Sequence, residues 1–220
     1  MADWLVIFDC DGVLVDSERL NVRTWTGMMR DAGVDFTEAD AVEAFVGKAY
    51  KDNRVTLTEL TGAVPDPEWE RAWRAEFLRS QEQLEPIAGA GEAVAAVREL
   101  GLEVCVASGS LLAAIGTKLG RTGLDGYFPE AVRFSAEQVE HGKPAPDVFL
   151  LAARELGFAP ERCVVVEDSR AGIEAAVAAG MPVVGYRSDL TPTGWLEAAD
   201  AVIDEMADLP SVISRLTALG

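Results

Sequence analysis

The chain has 220 residues, 49% of them apolar, enough to bury a substantial core and to exclude a disordered or fibrous protein. Nineteen Lys and Arg stand against 37 Asp and Glu, a formal charge of -18 that repels nucleic acid phosphates and anionic lipid, so neither is an expected partner. The same field opposes any phosphate ester, so a site for one needs a divalent cation, local lysines and helix N-termini to reverse the sign.

Residues 4–8 read WLVIF, a continuous apolar run with β-branched and aromatic members that suits a strand covered on both faces, and the run stops at Asp9. From about Asp16 to Glu85 the pattern changes. Leu20, Trp25, Met28 and Met29, then Trp69, Trp73 and Phe77, recur at helical spacing without a convincing strand. This stretch reads as an inserted helical cap, residues 16–85, in a core made of residues 1–15 and 86–220. The connections after the first strand and around Pro86, Gly89 and Gly91 are candidate hinges. The three tryptophans read as packing inside the cap rather than as platforms for a ligand.

Beyond the insertion a helix over 91–100 closes at Gly101, and a strand over 102–107 ends at Ser108, ahead of a helix near Leu111. A helix over 147–156 closes at Gly157. A strand over 163–166 ends at Glu167 and Asp168, and a helix over 171–179 closes at Gly180. Strands over 183–186 and 201–203 and a final helix from about 209 to 219 complete the alternation, which predicts an α/β core with a parallel sheet and right-handed crossovers. The N-terminal residues do not resemble a secretion signal, and no apolar run approaches the roughly 18 to 20 residues of a membrane-spanning helix. Cys10, Cys105 and Cys163 lie in or beside strand-like runs without metal-knuckle spacing, as expected of reduced core thiols in a cytoplasmic protein.

In an open parallel sheet, ligands bind at the carboxyl ends of the strands, so Asp9, Ser108 and the Glu167–Asp168 pair should face one crevice although they are far apart in sequence. Each alone is as well explained by a cap or a turn; together they make a site. Asp9, Asp11 and Asp168 offer the hard oxygen ligands that Mg²⁺ prefers, and a cation explains how several carboxylates stay ionised side by side. Lys143, in the loop HGKPAPD ahead of a helix, is placed to neutralise an anionic group there. Ser108 opens SGS, where its hydroxyl and the backbone N–H of Gly109 can hold phosphate oxygens or simply cap the helix.

Taken together, DCDGVLVDS from Asp9 to Ser17, Ser108 after its strand, Lys143 in GKPAPD, and VEDSRAGIEAAVAAG from Val166 to Gly180 resemble the four motifs of the haloacid dehalogenase superfamily. More narrowly they are similar to its beta-phosphoglucomutase-like subgroup of sugar-phosphate phosphatases and mutases. The resemblance implies a Rossmann-like core with an inserted α-helical cap, Mg²⁺ as cofactor and an aspartyl-phosphate intermediate. It makes Asp9 the nucleophile and a metal ligand, and Asp11 the proton donor and acceptor that also binds metal through its carbonyl. Ser108, Gly109 and Lys143 would hold the phosphoryl group. Asp168 would bind the metal, with Glu167 a ligand or an anchor behind it.

Asp11 stands where true dehalogenases of the superfamily lack the second aspartate, which argues against carbon–halogen cleavage. Asn21 stands where the mutases carry a histidine, which favours a phosphatase over a mutase. In the cap loop FVGKAYKDNR, Tyr50 replaces the mutase arginine for a second phosphate, with Lys48, Lys51 and Arg54 as substitutes. Gly47, Lys48 and Lys51 are the candidate specificity residues; the lysines read equally well as solvated helix charges. His141 is expected to be a loop residue without a catalytic role. A phosphorylatable receiver domain gathers similar groups but lacks both the cap-sized insertion and Asp11. The expected protein is a monomeric Mg²⁺-dependent phosphatase acting on a small-molecule phosphate ester, a sugar phosphate first among them, with a beta-phosphoglucomutase-like phosphosugar mutase as the alternative and no nucleic acid or membrane partner.

Overall fold

The computed structural model describes residues 3–46, 50–64 and 66–218. It divides into two compact units, one of Met1–Asp16 with Glu85–Gly220 and one of Ser17–Leu84. Among the described residues the larger unit has six strands: β1 (Leu5–Phe8), β2 (Glu103–Ser108), β3 (Arg133–Ser135), β4 (Cys163–Glu167), β5 (Val183–Tyr186) and β6 (Ala201–Ile203). All pair in parallel, in the order β3-β2-β1-β4-β5-β6.

Every residue of β1, β4 and β5 is buried, as a parallel sheet with both faces covered requires. Alternation along each strand sends Leu5, Ile7, Cys105, Val165 and Val183 into a core with Phe149 and Ile173. In that core lie the helices that follow β3 and β4. On the chain's path these are α7 (Asp147–Leu156) and α8 (Arg170–Ala178), preceded by α5 (Ala90–Glu99) and α6 (Leu112–Arg121) and followed by α9 (Leu209–Ala218). Phe8, on the alternate face of β1, meets Phe128 edge-on with ring centroids 5.9 Å apart. Helices and strands predicted from the sequence appear within one or two residues of their expected bounds. The glycines expected to close three helices, Gly101, Gly157 and Gly180, take φ of 80°, 78° and 71°.

Strand β3 has no counterpart in the sequence reading. With three residues led by an arginine, it is too short to carry a periodicity, and its pairing with Val106, Ala107 and Ser108 of β2 is what makes it a strand.

The smaller unit contains α1 (Ser17–Asp31), α2 (Glu38–Phe45), α3 (Tyr50–Thr61) and α4 (Pro67–Ser80). Thr37 and Asp40 form a capping box at the start of α2, and Asp66 caps α4 by accepting from the N–H groups of Glu68 and Trp69, with Pro67 at the first helical position. Trp25 of α1 stacks on Phe45 of α2 at 4.4 Å. The expectation for the other two tryptophans needs correcting. Helix α4 buries no residue fully; Trp69 and Trp73 are half-buried, and both indole N–H groups donate to Asp31, at 2.8 and 3.2 Å. An indole carries a donor that must find an acceptor, and a carboxylate on α1 holds both rings at the margin of the packing rather than within it. Among the described residues no helix is long and apolar enough to cross a membrane.

Candidate active site

Strand β1 lies between β2 and β4, which the chain reaches on opposite sides of it, so the crevice of the sheet opens at the tips of these three strands. Phe8 pairs with Val106 and with Val166, which puts Asp9, Ala107 and Glu167 one step further on at the same level. The Asp9 N–H continues the ladder to the Val166 carbonyl at 3.0 Å. The backbone then turns tightly: the N–H groups of Leu14 and Val15 both reach the Cys10 carbonyl at 3.0 Å, and Gly12 takes φ of 77°.

Lys143 reaches this level from the loop before α7. Its ammonium is hydrogen-bonded to Asp9 Oδ1, to Glu167 Oε1 at 2.7 Å and to the Ala107 carbonyl at 3.3 Å, so one cation bridges the ends of β1, β2 and β4. Glu167 is 1% exposed, and its other oxygen accepts from Ser169 N at 2.8 Å and Ser169 Oγ at 2.9 Å. Both Glu167 oxygens are thereby engaged by protein donors. Burial raises the proton affinity of Asp9 most; Lys143 opposes this, Glu167 and Asp11 add to it, and the carboxyl ends at about 7. For Lys143 burial works against the charge, but Asp9 and Glu167 outweigh it and hold the ammonium above the ordinary lysine range. Two carboxylates share one lysine here, so with both ionised the group carries one negative charge in excess.

Two glycines shape the floor of this site, and for reasons of space. A Cβ on Gly12 would fall 2.0 Å from Asp168 Oδ2, so the Asp168 carboxylate lies directly against the loop that carries Asp9 and Asp11. A Cβ on Gly172, in the first turn of α8, would fall 1.7 Å from Glu167 Oε1. Gly172→Ala should therefore force α8 and the Glu167 side chain apart, and a loss of about 3 kcal/mol in urea unfolding is expected, at the upper end for overpacking; an unchanged midpoint would contradict the packing described.

Ser108, the buried last residue of β2, accepts from the Ser110 N–H at 3.1 Å, and nothing lies within 4 Å of where a Gly109 Cβ would be. Two residues absent from the sequence reading then appear. The Ser110 hydroxyl donates to Asp11 Oδ2 at 2.8 Å, and Lys118, from α6, pairs with Asp11 Oδ1 and donates to Ser110 Oγ at 2.9 Å. Burial opposes the Lys118 charge, and Asp11 more than restores it. Lys118 carried a faint signal. On α6 the buried residues are Ile115 and Leu119, and a lysine at 118 borders that apolar stripe instead of lying opposite it. Ser110 was visible in SGS but passed over for Ser108.

Cys10, between the two aspartates, is fully buried, and burial followed by Asp11 pushes its thiol well above the ordinary range, leaving it protonated and inert. His141 is exposed and hydrogen-bonded to Asp147 at 3.3 Å, away from these contacts. In the smaller unit Arg54 pairs with Glu70 at 2.9 Å, and Asn21 donates to Glu18 at 3.3 Å. Gly47 and Lys48 lie outside the described residues, as does the side chain of Lys51. Among the described residues no three His, Cys, Asp or Glu side chains close into a metal cage.

A protein-family model described as haloacid dehalogenase-like hydrolase matches residues 5–180. A 6-phosphogluconate phosphatase of Escherichia coli is 31% identical over 186 residues, covering 84% of this chain and 82% of the relative. A fructose-1-phosphate phosphatase of the same organism is 35% identical over 187 residues, covering 83% and 95%. A chloroplastic protein of Arabidopsis thaliana, 33% identical, is far longer, and the chain spans 20% of its length. Among solved structures, a hydrolase of Deinococcus radiodurans with bound phosphate and sodium superposes with a TM-score of 0.85 at 28% identity, covering 98% of this chain and 97% of its own.

Proposed function

Because the chain belongs to the haloacid dehalogenase-like hydrolases and is a phosphatase of that family, we propose that it is a Mg²⁺-dependent enzyme releasing phosphate from a small phosphorylated carbohydrate through a phosphoryl group carried on Asp9. One observation carries the reading: at the switch point of the sheet Asp9 stands at the strand tip beside Lys143, while Asp11, two residues on, is paired with a different lysine, Lys118. A nucleophile and a proton carrier need such different partners.

The donor set fits magnesium. Asp9 and Glu167 set two carboxylates against the one ammonium of Lys143, and the Asp168 carboxylate lies against the loop of Asp9 and Asp11, so a divalent cation would offset negative charge gathered there. Burial raises the proton affinity of Asp9 most, and the neighbouring Glu167 and Asp11 carboxylates add to it. Asp9, Asp168 and the Asp11 carbonyl would hold the ion, a sparse set suited to a cation that keeps several waters. Glu167, with both oxygens engaged, anchors Lys143 instead. Bound there, Mg²⁺ supplies positive charge to the phosphoryl oxygens and favours the ionised form of Asp9.

The chain's residues then divide the work. An Asp9 oxygen attacks phosphorus, the bond from phosphorus to the ester oxygen breaks, and Asp11 delivers its proton to the departing alcohol. Water, giving a proton back to Asp11, attacks phosphorus next; the bond to Asp9 breaks and inorganic phosphate leaves. Lys143, the Ser108 hydroxyl and the Gly109 N–H hold the phosphoryl oxygens throughout. Asn21, in place of the mutase histidine, supports hydrolysis over isomerisation, and Gly47, Lys48 and Lys51 remain the sequence-based candidates for choosing the sugar. The free, buried thiols Cys10, Cys105 and Cys163 suit a reducing, cytoplasmic setting, and the reading is of a monomer.

The test is phosphate release from a panel of sugar, sugar-acid and polyol phosphates with Mg²⁺, which should be abolished by EDTA. The Mg²⁺ concentration for half-maximal rate should fall as pH rises, by up to tenfold per unit below about 7, and level off above it, because the ion and a proton compete for Asp9. Isomerised phosphosugar without free phosphate, or full turnover in EDTA, would overturn the reading.

A further inference from the structure

The proposed acid and base, Asp11, is not simply exposed at the end of its loop. Lys118 takes Oδ1, the Ser110 hydroxyl takes Oδ2 at 2.8 Å, and the two partners bond to each other at 2.9 Å, closing a triangle around one carboxylate. The triangle is itself tied down. The Ser110 N–H is bound to Ser108 Oγ at 3.1 Å, and the Ser110 carbonyl accepts from Ser135 Oγ at 2.7 Å, which belongs to β3. Lys118 projects from α6, two turns beyond Ser110, with its side chain 19% exposed. A carboxylate on a turn ordinarily samples several χ1 and χ2 settings; donors of fixed position on both oxygens leave it one.

Resting on the phosphatase reading, we propose that Lys118 and Ser110 are positioning residues for proton delivery, fixing the Asp11 carboxylate so that its proton reaches the leaving oxygen. The two side chains lie in a hydrogen-bonded group of their own: Lys143, Glu167 and Ser169 form one group and Lys118, Ser110 and Asp11 another, with only the backbone N–H of Ser110 reaching Ser108 of the phosphoryl cradle. It divides the two lysines by task, one serving phosphoryl charge and the other direction.

Leaving groups separate this from a structural role. An alkyl phosphate must have its departing alcohol protonated, whereas p-nitrophenolate leaves without help, and kcat/KM reports only the steps through formation of the phosphoryl-aspartate. Lys118→Met, Lys118→Arg and Ser110→Ala are to be compared with the wild type on p-nitrophenyl phosphate and on the sugar phosphate that the wild type hydrolyses fastest. For Lys118→Met the sugar-phosphate kcat/KM should drop about 50-fold and the aryl value less than about 3-fold, with Ser110→Ala following the same pattern more weakly and Lys118→Arg recovering most of the loss. Equal losses on both esters, in Lys118→Met and Ser110→Ala alike, or no loss on either, would overturn the positioning role while leaving the phosphatase intact. A wild type that releases phosphate from neither ester would instead overturn the phosphatase reading itself.

Discussion

Asp9→Asn releases phosphate at least about 10⁴-fold more slowly than the wild type from every ester tested, and yet folds at least as stably in EDTA at pH 8. The kinetic half follows from chemistry: an amide of the same shape keeps the space and the hydrogen bond but offers no nucleophile. The stability half follows from the buried carboxylate. Its proton affinity in the folded protein, about 7, lies above the unfolded value of 3.8, so the folded state binds the proton more tightly. That group's contribution to stability therefore falls as pH rises between the two values, and above about 7 its ionised form opposes folding. Asparagine has no such charge to bury, while Lys143 retains Glu167 as its partner. Thermal melts of both proteins at pH 5 and pH 8 check this, with the variant gaining on the wild type at the higher pH; more than 1% residual turnover would remove Asp9 from the mechanism.

Lys143→Met should be the most damaging change to the fold and nearly as damaging to turnover. The ammonium is 10% exposed and neutralises Asp9 and Glu167, which are 8% and 1% exposed. Without it, two buried carboxylates adjoin each other with no cation between them, and the stability lost at pH 8 in EDTA should be about 3–5 kcal/mol. The deficit should shrink toward pH 5. Removing the lysine takes away the charge that opposes protonation of Asp9, so the variant recovers as Asp9 takes up its proton. Turnover with Mg²⁺ should fall about 10³-fold, through loss of charge on the phosphoryl oxygens. Urea titrations at the two pH values give the comparison, and equal deficits at both would mean that Lys143 holds the site by packing alone.

Much of this arrangement was legible in the sequence because it is a matter of where strands stop. WLVIF ends at Asp9, LEVCVA at Ser108 and CVVV at Glu167, and three buried runs terminated by polar residues in a parallel sheet leave them nowhere to point but one crevice. Lys143 could be read from its loop just ahead of a helix, but only the motif resemblance gave it a role, since a lysine in a loop carries no periodicity. What stayed hidden depends on tertiary closeness. Lys118 meets Asp11 across 107 residues, and its place beside the apolar stripe of α6 does not say what it meets. The packing of Gly172 on Glu167 and of Gly12 on Asp168 is a matter of ångströms that a one-letter code does not hold. Helix α4 was misjudged because tryptophan spacing reports a face, not how deeply the face is sunk.

The sheet stops on each side at a strand of three residues, β3 beginning with Arg133 and β6 ending at Ile203. So brief an edge exposes too few unsatisfied amides and carbonyls for a stray extended chain to anneal to it. Brevity at the rims lets the middle of the sheet be as continuously apolar as a deep parallel core demands, without inviting its neighbours to stack on in register.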